Sequence, residues 1–385
     1  MSDYQTVERT LAKLISFDTT SRNSNLELIE WVERELGPYA DAMTRTTNEE
    51  GDKANLWVRI GPDVPGGIVL SGHTDVVPVD GQPWKTDPWT LTELDGKLYG
   101  RGTSDMKSFL ALMMAFAPQM AASKPERPIH FVMSYDEEIG CAGVESMIEV
   151  VAGATSAPKA CWVGEPTLWG VVTGHKGIRC YTVNITGLEA HSSLPHTGAS
   201  AVHVAVDLMS ILRDTAIALE ASPPEDSPFE PPYATLTIGV VKGGTAGNII
   251  ARECGFEFDL RSPPGVDPDE ALAPFFEAVA KADALLKTVS PACGIVVEKI
   301  ADAPALGPED EGFIEQLARQ VTGDNMVRTA SYCAEAGQFQ RAGMSTIICG
   351  PGSIEQAHQP NEFIEIAQLK QGVAMFENLI AALGG

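Results

Sequence analysis

Residues with metal-binding side chains occur at five places where an apolar stretch gives way to a loop. They are His73, Asp105, Glu138, Glu165 and His358. In open α/β sheets, ligand sites form where strands end and loops begin. Two imidazoles and three carboxylates form a nitrogen and oxygen donor set that suits Zn²⁺ or Co²⁺ better than Mg²⁺ or Ca²⁺. The pattern therefore predicts a transition-metal site at the strand ends.

The same set of donors could hold two cations. A carboxylate has two oxygens, so Asp105 could bridge a pair of ions about 3.5–4 Å apart, the separation used by hydrolytic two-metal sites. Carboxylates concentrated in one place would repel one another without cations between them. Each local pattern alone is weak evidence, because Gly-His-Thr-Asp or Asp-Glu-Glu is commonly only a turn or a helix start. Their combination is what predicts a hydrolytic centre.

Composition excludes several classes of partner. The chain has 385 residues, of which 44% are hydrophobic and 21% charged, which predicts a soluble globular protein of two or three domains. Its net charge is −25, so it would repel nucleic acid and anionic membrane surfaces. The longest apolar run, residues 109–117, is too short to cross a bilayer, and the first residues lack a secretory signal pattern. Seven dispersed cysteines without a Cys-x-x-Cys pair add to the expectation of a cytoplasmic protein.

Two regions with different periodicities must position these residues. The first third alternates helical patterns with short apolar strands, which predicts an α/β domain with a mixed or parallel sheet flanked by helices. Its predicted helices are residues 6–15, 26–36 and 108–120, and its predicted strands are residues 67–70 and 129–134. After residue 302 the alternation returns, so this domain is expected to be discontinuous.

The middle of the chain predicts a second domain of α+β type. Its elements follow the order β-α-β-β-α-β, a split βαβ or ferredoxin-like arrangement. The predicted strands are residues 178–185, 234–241, 253–260 and 294–299, and the predicted helices are residues 199–219 and 268–286. We therefore predict a catalytic domain made of residues 1–177 and 303–385, with an inserted domain at residues 178–302.

A series of motifs resembles the M20 metallopeptidase family in order and spacing, over nearly the whole chain. The motifs are Gly-His-Thr-Asp-Val-Val-Pro at 72–78, Leu-Tyr-Gly-Arg-Gly-Thr-Ser-Asp-Met-Lys at 98–107, Asp-Glu-Glu at 136–138, Gly-Glu-Pro-Thr at 164–167 and Ala-His-Ser-Ser at 190–193. Residues 84–100 and 350–360 are especially similar to a branch of the family that removes the acetyl group from N²-acetylornithine. The resemblance implies a zinc-peptidase-like fold whose inserted domain serves for dimerisation and as a lid.

The resemblance also implies an assignment of the metal ligands. His73 and Glu165 would hold one ion, Glu138 and His358 would hold the other, and Asp105 would bridge the two. Zinc is the expected metal, with cobalt as the alternative. A cis peptide bond after Asp105 is implied as well.

Two further carboxylates are expected to take part in catalysis. Asp75 matches a family carboxylate behind His73, where it would accept the remaining imidazole N–H and fix the tautomer. Glu137 is the predicted general base. Adjacent carboxylates on a turn point in different directions, so Glu138 can ligate a metal while Glu137 accepts a proton from the attacking water and returns it to the leaving amine.

The inserted domain carries three more candidates through the resemblance. His191 matches a histidine that reaches into the opposite subunit and stabilises the developing oxyanion, which implies a homodimer. Asn248 and Arg261 match residues that bind the substrate carboxylate, a task that suits the planar fork of arginine. Alternatively, His191 could cap a helix and Arg261 could form an ordinary surface ion pair. Glu335 could line the pocket and pair with an ornithine ammonium.

The leading functional prediction is a metal-dependent amidohydrolase that converts N²-acetylornithine to ornithine and acetate. Alternatives with the same chemistry are a succinyl-diaminopimelate desuccinylase, another N-acyl-amino-acid hydrolase or a carboxypeptidase of the same family. An alternative from a different class is a catalytically silent protein that binds metal or peptide. That class would require the loss of a ligand or of Glu137, and all of these residues are present.

Overall fold

The computed structural model describes residues 3–309 and 312–384, and the chain divides into two compact units. The outer unit comprises Met1–Gly174, Leu306–Thr329 and Ala334–Gly385. The inserted unit comprises His175–Ala305 and Ala330–Cys333, whereas the sequence analysis places the inserted domain at residues 178–302. The short second segment belongs to the inserted unit because its backbone pairs there. The amide of Lys176 donates to the carbonyl of Ala330 at 3.3 Å.

Helices and strands alternate along much of the chain. The helices are α1 Asp3–Ile15, α2 Leu26–Leu36, α3 Lys107–Ser123, α4 Glu145–Ala152, α5 Ala201–Ala221, α6 Pro268–Val289, α7 Phe313–Thr322, α8 Ala336–Arg341 and α9 Ile366–Leu383. The strands are β1 Ala42–Thr47, β2 Ala54–Ile60, β3 Ile68–His73, β4 Thr92–Leu94, β5 Lys97–Tyr99, β6 Ile129–Ser134, β7 Ala160–Val163, β8 Gly174–His175, β9 Gly177–Thr186, β10 Thr235–Gly243, β11 Glu253–Ser262, β12 Gly294–Ala303, β13 Thr329–Ala330, β14 Ser345–Ile348 and β15 Phe363–Glu365. In the described part of the chain, no helix combines the length and apolar character needed to cross a bilayer.

The outer unit is built on a mixed sheet. Within the described residues, its six strands follow the order β1-β2-β6-β3-β7-β14. The neighbours from β6 to β14 are parallel, whereas β1 and β2 form an antiparallel edge. Strands β3, β6 and β7 are buried along their whole length, as expected when helices cover both faces of a parallel sheet. The predicted α/β fold with a mixed sheet is confirmed.

Helix α3 crosses the core of the outer unit and is apolar on nearly all sides. The ring of Phe109 meets that of Phe376 edge-on at 5.7 Å, and the ring of Phe116 lies 5.5 Å from the same partner. A helix without a polar face is stable only when other elements surround it. Here the surrounding elements include α1, α9 and the sheet. The α3 N-terminus, which follows Asp105, is therefore held firmly in the core.

The inserted unit has the predicted β-α-β-β-α-β order, in the sequence β9-α5-β10-β11-α6-β12. Its antiparallel sheet has the order β10-β11-β9-β12, which is the ferredoxin-like arrangement. Alternate residues Tyr181, Val183 and Ile185 of β9 are buried beneath the helices. Ser200 caps α5 and Asp267 caps α6 through side-chain oxygens that accept backbone N–H bonds.

Candidate metal centre

Three of the predicted ligands lie at one edge of the outer sheet. His73 ends β3, while Glu138 and Glu165 lie in the loops that follow β6 and β7. These strands are neighbours and run parallel, so their carboxyl ends share an edge. This property of parallel sheets accounts for how residues distant along the chain meet.

The remaining two ligands come from loops. Asp105 lies in the turn immediately before α3, and the peptide bond between Asp105 and Met106 is cis, as the resemblance implied. His358 lies in the loop before β15 and has a φ of 63°, in the left-handed region. Few non-glycine residues adopt that conformation, and they are often found at functional sites.

The five side chains converge into two overlapping trios. The first trio is His73, Asp105 and Glu165, and the second is Asp105, Glu138 and His358. In each trio one ligand atom from every residue lies within 4.8 Å of the others. These groupings are the same as those implied by the family resemblance.

Asp105 faces both histidines with different oxygens. Its Oδ1 lies 3.0 Å from Nε2 of His73, and its Oδ2 lies 3.4 Å from Nε2 of His358. The same His73 nitrogen is 3.8 Å from Oε1 of Glu165, and the His358 nitrogen is 2.9 Å from Oε2 of Glu138. One oxygen for each trio is the geometry that a bridging carboxylate requires.

The electrostatics of the centre fit divalent cations. Oε1 of Glu165 is buried without a hydrogen-bond partner in the described structure. Burial and the nearby carboxylates raise the pKa of Glu165 well above its usual value, and burial together with Asp105 raises the pKa of Glu138 to about 7. A buried anion with an unsatisfied oxygen is costly unless a positive partner faces it. Ions held by the two trios would supply that partner.

The structure gives Asp75 a different contact from the predicted one. The Nδ1 atom of His73 lies 2.9 Å from the backbone carbonyl of Asp75, whereas the Asp75 carboxylate is 3.6 Å from it, too far for a hydrogen bond. That carboxylate accepts the backbone N–H groups of Glu137 at 3.2 Å and of Glu138 at 3.3 Å, and the hydroxyl of Ser21 at 2.7 Å. Thus the carbonyl of Asp75 orients the imidazole, while its carboxylate holds the Glu137-Glu138 turn.

Glu137 lies beside the ligands but belongs to neither trio. It is half-buried, and the Sγ of Cys141 donates to its Oε1 at 3.3 Å. Burial and the neighbouring carboxylates Glu165 and Glu138 raise its pKa well above the usual value, despite the opposing effect of His73. A carboxylate next to a metal centre, yet outside the ligand set, is placed to exchange a proton with a reacting molecule.

His191 and Asn248 are neighbours at one end of the inserted sheet. His191 pairs with Ile249 in an isolated bridge, and the amide of Ser192 donates to the carbonyl of Asn248 at 3.0 Å. The backbone N–H of Ser193 donates to Nδ1 of His191 at 3.2 Å. In the neutral ring this assigns the proton to Nε2, which can then donate to an oxyanion.

Arg261 lies at the other end of the same sheet. It pairs in register with Ile178 at the start of β9, whereas Glu253, at the Asn248 end of β11, pairs with Thr186. The ten residues of β11 span about 30 Å, more than the combined reach of the two side chains. The Nε of Arg261 donates to Asp259 at 3.1 Å. Within one chain, Asn248 and Arg261 therefore cannot bind the same carboxylate.

Two buried charged residues near the centre were not assigned roles by the sequence analysis. They are Arg101 and Glu362, both 1% exposed, and they form an ion pair at 2.7 Å. Arg101 lies inside a recognised motif, but nothing in the sequence marks Glu362 as its partner. Glu335, the candidate for an ornithine ammonium, is also 1% exposed, and burial raises its pKa to about 7.

Comparison with known proteins places this geometry in a family. A model of the peptidase family M20/M25/M40 matches residues 69–382. The chain belongs to this family. Membership assigns this M20 protein to the hydrolases and confirms the resemblance found in the sequence motifs.

Curated relatives of this M20 chain include acetylornithine deacetylases. The protein from Photorhabdus laumondii is 33% identical over 357 residues, covering 92% of this chain and 88% of the relative. The protein from Myxococcus xanthus is 31% identical over 381 residues, covering 98% of this chain and 97% of the relative. The similarity therefore extends through both units.

Solved structures share the M20 fold at lower sequence identity. A metallo-carboxypeptidase from Sulfolobus solfataricus matches with a TM-score of 0.74 and 17% identity, covering 98% of this chain and 99% of that chain. A dinuclear metal-binding peptidase from Bacillus subtilis matches with a TM-score of 0.64 and 14% identity, covering 99% of each chain. At such identities the likeness supports the fold.

Proposed function

We propose that this M20 family member is a dinuclear metal-dependent amidohydrolase that converts N²-acetylornithine to ornithine and acetate. The observation that carries the chemistry is the pair of overlapping ligand trios sharing Asp105, with Glu137 beside them but outside both. The choice of substrate is supported by relatives named acetylornithine deacetylase that are about a third identical over most of both chains.

The donor set favours zinc in both positions, with cobalt as the alternative. Divalent ions held there would polarise the amide carbonyl and acidify water. Glu137 then accepts the proton of the attacking water at its carboxylate. The same carboxylate returns the proton to the amide nitrogen as the C–N bond breaks, because that nitrogen is a poor leaving group unless it is protonated.

Four residues outside the metal centre have proposed roles. Asp75 holds the backbone amide of Glu137 and so keeps the base oriented. Arg261 binds the substrate carboxylate with its guanidinium fork. His191 donates from Nε2 to the oxygen that gains negative charge as the amide is attacked, and Asn248 assists in binding.

The placement of these residues favours a homodimer. His191 and Asn248 lie at one end of the inserted sheet and Arg261 at the other, so one chain cannot bring all three to a single substrate. A second copy, related by two-fold symmetry, could supply His191 and Asn248 to the substrate that Arg261 is proposed to bind. We further propose a cytoplasmic location, supported by seven cysteines that form no disulfide, all of them in the described residues.

A substrate panel with metal analysis tests the proposal. The protein loaded with Zn²⁺ or Co²⁺ is given N²-acetylornithine, other N-acetyl amino acids, N-succinyl-diaminopimelate and dipeptides, and released amine is measured. We expect the highest kcat/KM for N²-acetylornithine. We expect no hydrolysis of any substrate after a chelator has removed the metal. Preference for another acyl group or for a peptide would reject N²-acetylornithine as the substrate. If the metal-loaded protein hydrolyses no amide, the result would favour a catalytically silent metal- or peptide-binding protein.

A further inference from the structure

The turn that carries Asp105 is held by a buried carboxylate from a distant part of the chain. Glu362 precedes β15, and its backbone carbonyl accepts the amide of Gly100 at 3.1 Å, next to the paired strands β15 and β5. Its side chain then turns into the Asp105 turn, 257 residues earlier in sequence. Only 1% of Glu362 is exposed, so these contacts are shielded from water.

Both oxygens of Glu362 accept hydrogen bonds from that turn. Oε1 accepts the backbone amides of Ser104 at 2.7 Å and Asp105 at 3.0 Å. Oε2 accepts the amide of Gly102 at 3.0 Å and the guanidinium of Arg101 at 2.7 Å. Four donors on one carboxylate fix the path of the backbone up to Asp105 itself.

The same group of contacts reaches the loop of the other ligand, His358. Arg101 donates to Oε1 of Gln82 at 2.7 Å, and Nε2 of Gln82 donates to the carbonyl of His358 at 3.1 Å. Asn361 accepts the amide of Lys85 at 2.6 Å and so ties the His358 loop to the same neighbouring segment. The backbones of Asp105 and His358 are therefore joined by a continuous network, which is buried around Glu362 and more exposed at Gln82 and the His358 loop.

We propose that Glu362 is a positioning residue of the metal centre, which sets the separation of Asp105 and His358 and thereby the second ion position. This inference rests on the proposed dinuclear centre and adds to it. The first trio depends less on Glu362, because His73 and Glu165 are held at the ends of β3 and β7. The second trio needs both Asp105 and His358 at the right separation, since a partner that orients a ligand commonly changes metal affinity 10–100-fold when removed.

A substitution that removes the charge of Glu362 but keeps its size isolates this role. In Glu362→Gln the amide oxygen can still accept from Ser104 and Asp105, but the NH₂ group faces the donors of Gly102 and Arg101. The matched control is Glu365→Gln, an exposed carboxylate at the end of β15, the strand that follows Glu362. Co²⁺ alone is titrated into each metal-free full-length protein and followed by calorimetry and visible absorption, with unfolding measured in parallel.

We expect two bound Co²⁺ ions in the wild-type protein and in Glu365→Gln. In Glu362→Gln the first ion should bind as in the wild type, and the second should bind roughly 10–100-fold more weakly. The spectrum of Glu362→Gln with one bound ion should match that of His358→Ala, which lacks a ligand of the second trio and keeps the first trio complete. Glu362→Asp, which keeps the charge, should restore part of the second affinity.

Wild-type affinity for both ions in Glu362→Gln would overturn the proposal. So would an equal loss of affinity for the two ions that is accounted for by a smaller fraction of folded protein. If Glu362→Gln does not fold, Glu362→Asp and Arg101→Lys take its place, and an unchanged second ion in both would overturn the proposal. A wild-type protein that binds two Co²⁺ ions but hydrolyses no amide would reject only the proposed function. A wild-type protein that binds fewer than two Co²⁺ ions would reject both the proposed function and the role of Glu362.

Discussion

The two units of this chain carry their candidate residues in opposite ways. In the outer unit, five ligands converge at the buried ends of neighbouring strands and adjoining loops, and a single chain supplies all of them. In the inserted unit, His191 and Asn248 are exposed at one end of a sheet, and Arg261 lies at the other. We therefore expect the outer unit to hold metal as a monomer, whereas the proposed contacts with substrate would require a second chain.

Replacing Glu137 gives the largest expected effect and tests the outer unit. In Glu137→Gln the side chain keeps its size but can no longer accept the proton of water, so kcat should fall roughly 10³-fold, within the usual range for general acid–base catalysis. Metal content should stay at the wild-type level, because Glu137 belongs to neither trio. Released amine and bound metal are measured on the same sample.

The exposed carboxylate Glu126 offers a matched control for that experiment, and Glu126→Gln should retain full activity. Unchanged turnover in Glu137→Gln would remove the assignment of the base. Loss of one ion along with activity would instead make Glu137 a ligand.

A complementation experiment tests whether the inserted unit works across two chains. His191→Ala removes the donor to the oxyanion and should lower kcat on the order of 10²–10³-fold, more than it raises KM. Arg261→Ala should act mainly on KM. If each site takes His191 and Arg261 from different chains, a mixed dimer of the two variants has one intact site.

An equimolar mixture, unfolded together and refolded, should therefore recover about a quarter of wild-type activity, because half the dimers are mixed and each has one working site. Activity is compared with that of each variant refolded alone. A mixture no more active than the separate variants would contradict a shared site.

Acid stability offers a smaller effect, confined to the outer unit. His130 on β6 is fully buried and accepts from Nε1 of Trp57 at 2.9 Å, and burial lowers its pKa to about 4. The unfolded chain takes up this proton near pH 6.5, whereas the folded chain does so only near pH 4. The contribution of His130 to the free energy of unfolding is thus complete above pH 6.5. About 3 kcal/mol of it is lost as the pH falls from 6.5 toward 4.

The measurement is the free energy of unfolding of the wild type minus that of His130→Gln, whose carbonyl can still accept from Trp57. That difference should fall as the pH is lowered from 6.5 to 4. In the control His203→Gln, an exposed substitution on α5, the free energy of unfolding should equal that of the wild type at every pH from 6.5 to 4. A difference that does not change with pH would mean that His130 is not kept neutral by burial.

Much of the fold was predictable because its patterns are local. Helix α2 begins and ends where its apolar spacing places it, and β6 coincides with its apolar run. The ferredoxin-like order of the inserted unit followed from counting elements. The antiparallel edge formed by β1 and β2 was not predicted, because the half-buried strand β1 gives a weak periodic signal and the pairing of β1 with β2 depends on tertiary contacts.

The candidate site was predictable where a residue type alone determines the chemistry. The five ligands are histidines and carboxylates at strand-to-loop junctions, and the structure brings them together. The hydrogen bonds of Asp75 were not predictable, since nothing in the sequence distinguishes a carboxylate that accepts from an imidazole from one that accepts from backbone amides. The separation of Asn248 and Arg261 depends on strand register, which only pairing reveals.

By itself the sequence determined the kinds of donor available, the order of the elements and the negative charge that disfavours nucleic acid. These properties belong to single residues or to their spacing along the chain. The tertiary structure alone decided which oxygen of Asp105 faces which histidine, that Glu362 supports its turn, and that one chain cannot assemble all the proposed substrate contacts. Such relations are distances between residues far apart in sequence, and packing fixes them rather than local preference.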